Sequence, residues 1–221
     1  VEGHLTKYSY RLIISTTVKY STNAEDALQN QDPPVGRIGI DDLRNSEIDW
    51  EKYSLNSNNV EVKAKKTPRP HQDIAISKVL EGLKTNDRGK LIMACGTGKT
   101  YTSLRIVEDY LNGKGNVLFL VPSIALASQT LTEWSAQCRY SFAAAVVCSD
   151  NKASKGEDAV DLGFPSTTNV ERLKEWANNN SEKDLRFIFS TYQSIQVVSD
   201  FQKATDYNFN IIVCDEAHRT T

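Results

Sequence analysis

The chain of 221 residues is poor in the features that mark several large classes of protein. Its four cysteines form no C-x-x-C pair, which argues against a structural zinc site or a disulfide scaffold. Its 28 acidic and 26 basic residues nearly cancel, so any DNA-handling surface has to be local. No apolar run reaches the ~18 residues that a membrane span needs, and the first residues lack a signal-peptide pattern. We therefore expect a cytoplasmic protein that has no membrane partner.

Residues 68–221 alternate between apolar runs and stretches with helical spacing. The apolar runs predict strands at the positions 87–95, 116–122, 140–148, 186–191 and 210–217, with helices between them. Strands that alternate with helices form a parallel sheet that is covered on both faces. The pattern therefore predicts an α/β fold with a parallel sheet for this part of the chain.

The first part of the chain predicts a smaller α/β segment. Residues 11–17 predict a short buried strand, and residues 37–43 predict a second short strand. Between them, residues 21–28 have the composition of a helix start, in which Ser21 or Asn23 would be the N-cap.

The composition also predicts where the domains meet. Residues 55–67 are polar, then basic, and run up to a proline, which is typical of a linker. We expect a segment over 1–54, this linker, and a larger domain over 68–221.

The sequence LIMACGTGKT, residues 91–100, has the pattern of a phosphate-binding loop. An apolar run enters a loop with the sequence Gly96-Thr97-Gly98, whose glycines allow positive φ and leave N–H groups free for phosphate oxygens. Lys99 would contact the β- and γ-phosphates of ATP, and the Thr100 hydroxyl would bind Mg²⁺. Met93 stands where the general pattern has its first glycine. The alternative is a glycine-rich turn followed by an accidental Gly-Lys-Thr.

The sequence VCDEAHRT, residues 213–220, supplies two adjacent carboxylates after an apolar strand. The carboxyl ends of parallel strands form the edge at which such sheets bind ligands. Asp215 would hold Mg²⁺ through water, and Glu216 would orient and deprotonate the attacking water. The alternative is a solvated strand end without a function.

These residues resemble the motifs of superfamily 2 helicases and translocases. Asp215-Glu216-Ala217-His218 is the DEAH form of their motif II, and MACGTGKT at 93–100 resembles their motif I, in which the first glycine is commonly replaced. The resemblance implies the first RecA-like lobe of such an enzyme, with ATP and Mg²⁺ as cofactors. It also implies that His218 couples the nucleotide site to a second RecA-like lobe outside this chain.

Three weaker motifs follow in the order that the family shows. The segment Arg69–Gln72 resembles the adenine-recognising segment, so that Arg69 and Gln72 are candidates for contacts with the nucleotide. The segments 121–123 and 190–194 resemble motifs that touch the nucleic-acid backbone, which carries little sequence information. The resemblance implies DNA contacts at Pro122, Ser123, Thr191 and Tyr192.

Residues 67–221 resemble most closely the motors of type I and type ISP restriction enzymes, which translocate on double-stranded DNA. Residues 1–54 resemble the closing part of Mrr-like nuclease domains of the PD-(D/E)xK fold, whose active-site residues would lie outside this chain. The alternative is that residues 1–54 are a small α/β cap on the motor. Glu61-Val62-Lys63 spells the E-x-K of that nuclease core, but it lies in the linker and has no strand-borne Asp partner.

The resemblance implies an ATP hydrolase that couples hydrolysis to movement on double-stranded DNA. Because the second lobe, which supplies arginine fingers, lies outside this chain, we expect the chain alone to turn over ATP slowly or not at all. Two alternatives remain open: the first lobe of an RNA or repair helicase, and a nucleotide-gated binding module without motor activity.

Overall fold

The computed structural model describes residues 11–16, 20, 21, 23, 24, 28, 35–46, 48–54, 60–148 and 166–217. The chain forms two compact units, Val1–Lys63 and Ala64–Thr221. None of the helices in these described stretches has both the length and the hydropathy that crossing a bilayer requires.

The first unit contains a two-stranded parallel sheet. Strand β1 (Arg11–Ile14) pairs with β2 (Val35–Ile38), and helix α1 (Ile40–Asn45) follows β2 directly. Asn23, Ala24 and Leu28, which lie between the strands, are helical. The N–H of Ala24 donates to the Ser21 hydroxyl, as the predicted N-cap requires.

Two expectations for this unit are wrong in detail. Strand β1 is not buried as a whole, because every second side chain, Leu12 and Ile14, is more than half exposed. The predicted strand 37–43 stops at Ile38, since the Asp42 carboxylate accepts a hydrogen bond from the Gly39 N–H and caps a helix there.

The second unit is built on a parallel sheet with the strand order β5-β4-β6-β3-β7. A helix lies in each described connection of this sheet, from β3 to β4, from β5 to β6 and from β6 to β7, as expected for parallel pairing. The strands are β3 (Gly115–Val121), β4 (Phe142–Val147), β5 (Ser166–Thr167), β6 (Leu185–Thr191) and β7 (Ile211–Cys214). The helices are α2 (Pro70–Gly82), α3 (Lys99–Tyr110), α4 (Ile124–Gln137), α5 (Val170–Asn179) and α6 (Ile195–Lys203), and a 3-10 turn spans Tyr192–Ser194.

Apolar side chains cover both faces of this sheet, which confirms the predicted parallel α/β architecture. On one face Trp134 of α4 is fully buried, with its ring 4.9–5.5 Å from those of Phe119, Phe187 and Phe189. The opposite face is covered by α5 and α6, whose buried side chains include Leu173, Val198 and Phe201. Strands that are covered on both faces read as continuous apolar runs, which is why the sequence predicted them.

One predicted strand is absent from the described part of the chain. Residues 87–95 form no ladder with any described strand, and the Ile92 side chain is 81% exposed. An apolar run becomes a strand only when a neighbouring strand pairs with it and a layer covers it. Here neither condition is met, so the segment enters the phosphate-binding loop as irregular chain.

Candidate nucleotide site

The loop at 95–98 has the backbone conformation that its glycines permit. Gly96 has φ +76° and Gly98 has φ +83°, and helix α3 begins at Lys99. The Thr97 hydroxyl donates to the Ala94 carbonyl oxygen at 2.7 Å, which closes the turn. Residues with a Cβ atom are disfavoured at positive φ, so the glycines allow this turn to present N–H groups in front of a helix N-terminus.

The loop rests on the first turn of helix α2. The Gln72 side chain is buried; its Nε2 donates to the Thr97 carbonyl oxygen at 2.9 Å and its Oε1 accepts from the Arg69 N–H. A Cβ atom on Gly98 would collide with Gln72 Nε2. The His71 ring also lies 3.2 Å from the Thr97 oxygen. The segment predicted to read adenine therefore supports the loop directly through Gln72, and Arg69 is exposed to solvent.

Helix α3 carries Lys99 and Thr100 and is anchored from behind. The indole N–H of Trp134 donates to the Thr100 carbonyl oxygen at 2.9 Å, so the core residue of α4 holds the first turn of α3. Farther along, the fully buried Glu108 carboxylate pairs with Arg105 and Arg139. A buried carboxylate is stable only when it is paired and hydrogen-bonded, as it is here.

The acidic turn after β7 lies beside the loop. The Asp215 N–H donates to the Leu120 carbonyl oxygen, which joins the turn to the end of β3. Glu216 has φ +50°, and its N–H donates to the Asp215 carboxylate at 3.0 Å. The Glu216 carboxylate lies 3.5 Å from the Lys99 ammonium. The structure thus brings the two motifs together at the carboxyl edge of the sheet, as the strand order predicts.

The surroundings of the acidic turn raise the pKa values of Asp215 and Tyr192. Partial burial raises the pKa of Asp215, and the Glu216 carboxylate acts in the same direction, whereas the Glu216 N–H and Lys99 oppose it. Burial, together with Cys214, Asp215 and Glu216, raises the pKa of Tyr192 to about 12. The phenol of Tyr192 therefore stays protonated and able to donate at neutral pH. It does donate, to the main-chain oxygen of Asp215.

The residues predicted to contact DNA lie in two adjacent turns. Pro122 and Ser123 follow β3, and Thr191 pairs in register with Val121 at the end of β6. Ser123 caps α4, because its hydroxyl accepts from the Leu126 N–H. Three members of this set remain partly accessible, but Thr191 is buried and its hydroxyl bonds to that of Ser194. His218 lies outside the described residues.

Sequence reasoning missed two contacts that organise this edge. The hydrogen bond from Tyr192 to Asp215 joins the turns after β6 and β7, which are not neighbouring strands. Trp134, a core residue of α4, bonds to the helix that follows the phosphate-binding loop. Neither partner is a sequence neighbour, so no local pattern signals these bonds.

In the first unit, the E-x-K residues make structural contacts. The Lys63 ammonium donates to the main-chain oxygens of Arg44 and Ser46 at 3.1 and 3.2 Å, at the end of α1. Lys52 pairs with Glu61 at 3.0 Å. The described residues hold no group of three or more metal-ligating side chains. These contacts favour the structural interpretation of Glu61 and Lys63 over a catalytic one.

Two family models match the chain. The model described as "Type III restriction enzyme, res subunit" matches residues 65–221. The model described as "Restriction endonuclease", an Mrr-type catalytic family, matches residues 2–60. Among curated proteins, the probable helicase A859L of African swine fever virus is similar: two isolates are 29% and 30% identical, each over 68% of this chain.

Two solved structures are also similar. The ATP-dependent type ISP restriction-modification enzyme LlaBIII, bound to DNA, is 39% identical over 98% of this chain, with a TM-score of 0.84. A nuclease-deletion mutant of the type ISP enzyme LlaGI, in complex with a DNA substrate mimic, is 43% identical over 69% of this chain, with a TM-score of 0.61.

The chain spans only part of each relative: 16% of the length of the viral proteins and 15% of the two solved chains. Within that part the motif order, the parallel sheet and the matched family agree. The chain belongs to the family of type III restriction enzyme res subunits, and residues 65–221 form its first RecA-like, superfamily 2 helicase lobe.

Proposed function

We propose that this chain binds ATP with Mg²⁺ and is the ATP-binding part of a restriction enzyme that moves along double-stranded DNA. One observation carries the proposal: the Lys99 ammonium lies 3.5 Å from the Glu216 carboxylate. That distance brings a phosphate-binding loop and an acidic turn to a single site. Either motif alone has a structural explanation, but the two together have the composition of a nucleotide hydrolase.

The residues at this site fit a nucleotide triphosphate with its metal. Gly96, Thr97 and Gly98 form a loop open to phosphate oxygens, and Lys99 now pairs with a carboxylate that a phosphate would replace. The Thr100 hydroxyl and the Asp215 carboxylate are oxygen ligands of the kind Mg²⁺ prefers. When bound, the metal neutralises charge on the phosphates.

The remaining residues have roles in hydrolysis or in nucleotide recognition. Glu216, released from Lys99, holds the attacking water and accepts its proton. Gln72 bonds to the loop and retains one amide N–H beyond its bond to Thr97, and we assign this N–H and the exposed Arg69 side chain to adenine recognition. His218 is proposed to couple this site to the second RecA-like lobe.

We also propose that the turns after β3 and β6 contact the DNA backbone. They lie side by side because β3 and β6 are neighbours in the sheet. Since Thr191 is buried, the contact would use Pro122, Ser123, the Tyr192 ring and main-chain N–H groups. The two solved relatives were determined with DNA or a DNA mimic, which supports this assignment. A nuclease site outside this chain would perform cleavage.

We propose that residues 1–54 are the nuclease-like segment, 55–67 a linker and 68–221 the motor lobe. The last residues of this linker belong to the second unit: Lys66 lies within Ala64–Thr221, and its N–H donates to the Gln137 side chain at 2.7 Å. The four free cysteines fit a reducing compartment such as the cytoplasm. The alternative of a small α/β cap would fail if residues 1–54, joined to their upstream sequence, cleave DNA.

The proposal is tested by Lys99→Ala in the full-length protein that contains this chain. We expect loss of ATP hydrolysis and of translocation, measured as displacement of a triplex-forming oligonucleotide from duplex DNA. Loss of the ammonium removes the main cation facing the phosphates. Lys183→Ala, an exposed lysine at the other end of the sheet, is the matched control and should behave as wild type. Translocation that survives Lys99→Ala contradicts the proposal.

A second candidate is a helicase that separates strands, because the similar viral protein is named a probable helicase. Strand-displacement assays on DNA duplexes and RNA–DNA hybrids distinguish the two, since a translocase of the proposed kind moves without unwinding. A nucleotide-gated binding module would bind ATP but show neither activity.

The 221-residue chain alone is expected to hydrolyse ATP slowly or not at all. Rapid DNA-stimulated ATP hydrolysis by this chain would contradict that expectation.

A further inference from the structure

Tyr192 connects the turn proposed to contact DNA with the acidic turn of the nucleotide site. It begins the 3-10 turn after β6, and its hydroxyl donates to the Asp215 main-chain oxygen at 2.7 Å. Strands β6 and β7 are not neighbours, because β3 lies between them. The phenol therefore spans the carboxyl end of β3 to reach the turn that follows β7.

This hydrogen bond completes the support of the Asp215 backbone. The Asp215 N–H donates to Leu120 of β3 at 2.8 Å, while the Asp215 oxygen accepts from Tyr192. Both main-chain polar groups of Asp215 are thus held, one by the end of β3 and the other by the turn after β6. The next residue, Glu216, has φ +50°, a conformation that a residue with a side chain adopts only when its surroundings enforce it.

We propose that Tyr192 is a positioning residue for ATP hydrolysis: its hydroxyl holds the Asp215–Glu216 turn so that both carboxylates face the phosphate-binding loop. The inference rests on the proposed function. The phenol touches no reacting atom. It acts through the Asp215 carbonyl, whose orientation sets the strained turn and hence the distance between Glu216 and Lys99.

The same geometry limits what the hydroxyl does toward DNA. A phenol has one proton to donate, and here Asp215 accepts it. The hydroxyl is therefore committed to the nucleotide site, and only the ring edge and the main chain of this turn remain for the DNA backbone.

The test is Tyr192→Phe in the full-length protein, which removes the hydroxyl and keeps the ring. We expect kcat for ATP hydrolysis to fall about three- to tenfold, the effect of one lost hydrogen bond, both with and without DNA. The Mg²⁺ concentration for half-maximal binding of a fluorescent ADP should rise by a similar factor. The DNA concentration for half-maximal stimulation should stay unchanged.

Tyr207→Phe is the matched control. Tyr207 is also a largely buried tyrosine of the same unit, but its hydroxyl has no hydrogen-bond partner among the described residues. We expect this variant to keep wild-type kcat and Mg²⁺ dependence. An equal loss in Tyr207→Phe would overturn the inference, because it would show that removing any such hydroxyl disturbs the lobe.

Two further results would overturn it. One is a Tyr192→Phe variant with kcat and Mg²⁺ dependence within twofold of wild type. The other is a variant in which only the DNA concentration for stimulation rises, which would assign the hydroxyl to DNA. If Lys99→Ala abolishes hydrolysis while Tyr192→Phe changes nothing, only the inference fails. If the wild-type protein hydrolyses no ATP, the proposed function fails and the inference falls with it.

Discussion

The two edges of the parallel sheet in the second unit hold their polar groups in different ways. At the carboxyl edge, the hydroxyl of Tyr192, both main-chain groups of Asp215 and the amide of Gln72 have hydrogen-bond partners. At the amino edge, a cavity of about 380 Å³ lies between the strand starts and the ends of α5 and α6. Three of the residues that line it each have a buried side-chain atom without a partner among the described residues: Asn116 (Oδ1), Arg186 (Nε) and Tyr207 (Oη).

The hydrogen bonding of polar groups shows which edge has a preorganised site and which edge has only a polar cavity. The amino edge has a sizeable cavity, but these three buried atoms have no hydrogen-bond partner among the described residues, which is unfavourable for folding. The carboxyl edge holds one strained residue, Glu216 at positive φ, in a turn that is hydrogen-bonded to Leu120 of β3 and to Tyr192. Strain held by surrounding contacts is typical of functional sites. The hydrogen bonding of its polar groups therefore identifies the functional edge better than cavity size does.

The comparison is tested most strongly by Gly98→Ala. We expect at least about tenfold weaker binding of fluorescent ADP, because the new Cβ atom is strained at φ +83° and meets the Gln72 amide. Gly96→Ala is the matched control: its φ is also positive, at +76°, but no atom lies within 4 Å of the added Cβ. Equal losses in the two variants would show that only the φ value matters and that Gln72 does not support the loop.

The pH dependence of the carboxyl edge gives a smaller effect. Partial burial raises the pKa of Asp215, so its carboxylate takes up a proton at a higher pH than an ordinary aspartate. We expect Mg²⁺-dependent binding of fluorescent ADP to weaken as the pH falls and Asp215 becomes protonated. The variant Asp215→Asn should abolish the Mg²⁺ dependence at every pH.

The contribution of Asp215 to the free energy of unfolding should depend on pH in the opposite sense to Mg²⁺-dependent ADP binding: it should be larger at low pH and smaller at high pH. The folded chain binds this proton more tightly than the unfolded chain, so the contribution of Asp215 to stability is present below its unfolded pKa and is lost as the pH rises through the folded pKa. Asp215→Asn should therefore raise the unfolding temperature at neutral pH. An unfolding temperature that falls would mean that the charged form is stabilised in the fold.

The smallest expected effect is at the amino edge. Tyr207→Phe removes a buried hydroxyl that has no partner among the described residues, so the free energy of unfolding should stay constant or rise by up to about 1 kcal/mol. Urea denaturation measures this change. A fall of more than about 1 kcal/mol would mean that the hydroxyl is bonded in solution, and the contrast between the two edges would disappear.

Much of the second unit follows from local sequence. Strands β3, β4 and β6 are apolar runs because both sheet faces are covered there, whereas the edge strand β7 exposes every second side chain; α4 begins after Ser123 because that hydroxyl caps it. Residues 87–95 were predicted to be a strand on the same evidence and are not. The difference is strand pairing, because a segment becomes a strand only when a neighbouring strand forms hydrogen bonds with it.

The candidate site likewise contains some features that the sequence predicted and others that it did not. The spacing of glycines, Lys99 and Thr100 predicted the phosphate-binding loop, because a loop that presents its N–H groups to phosphate needs these residue types in this order. The acidic pair was predicted at the same edge from strand direction alone. The positions of Thr191 and Tyr192 were not predictable. Their sequence resembles a DNA-contacting motif, yet the fold buries one and turns the hydroxyl of the other to Asp215.

The sequence by itself determined the parallel α/β fold, the phosphate-binding loop and the acidic turn, because each depends on local periodicity or on a short motif with a fixed backbone requirement. The tertiary structure alone decided that Lys99 meets Glu216, that Gln72 supports the loop and that Tyr192 holds Asp215. These contacts join residues from 23 to 117 positions apart in the chain. Only the packing of strands, helices and loops in the folded lobe brings them within hydrogen-bond or ion-pair distance.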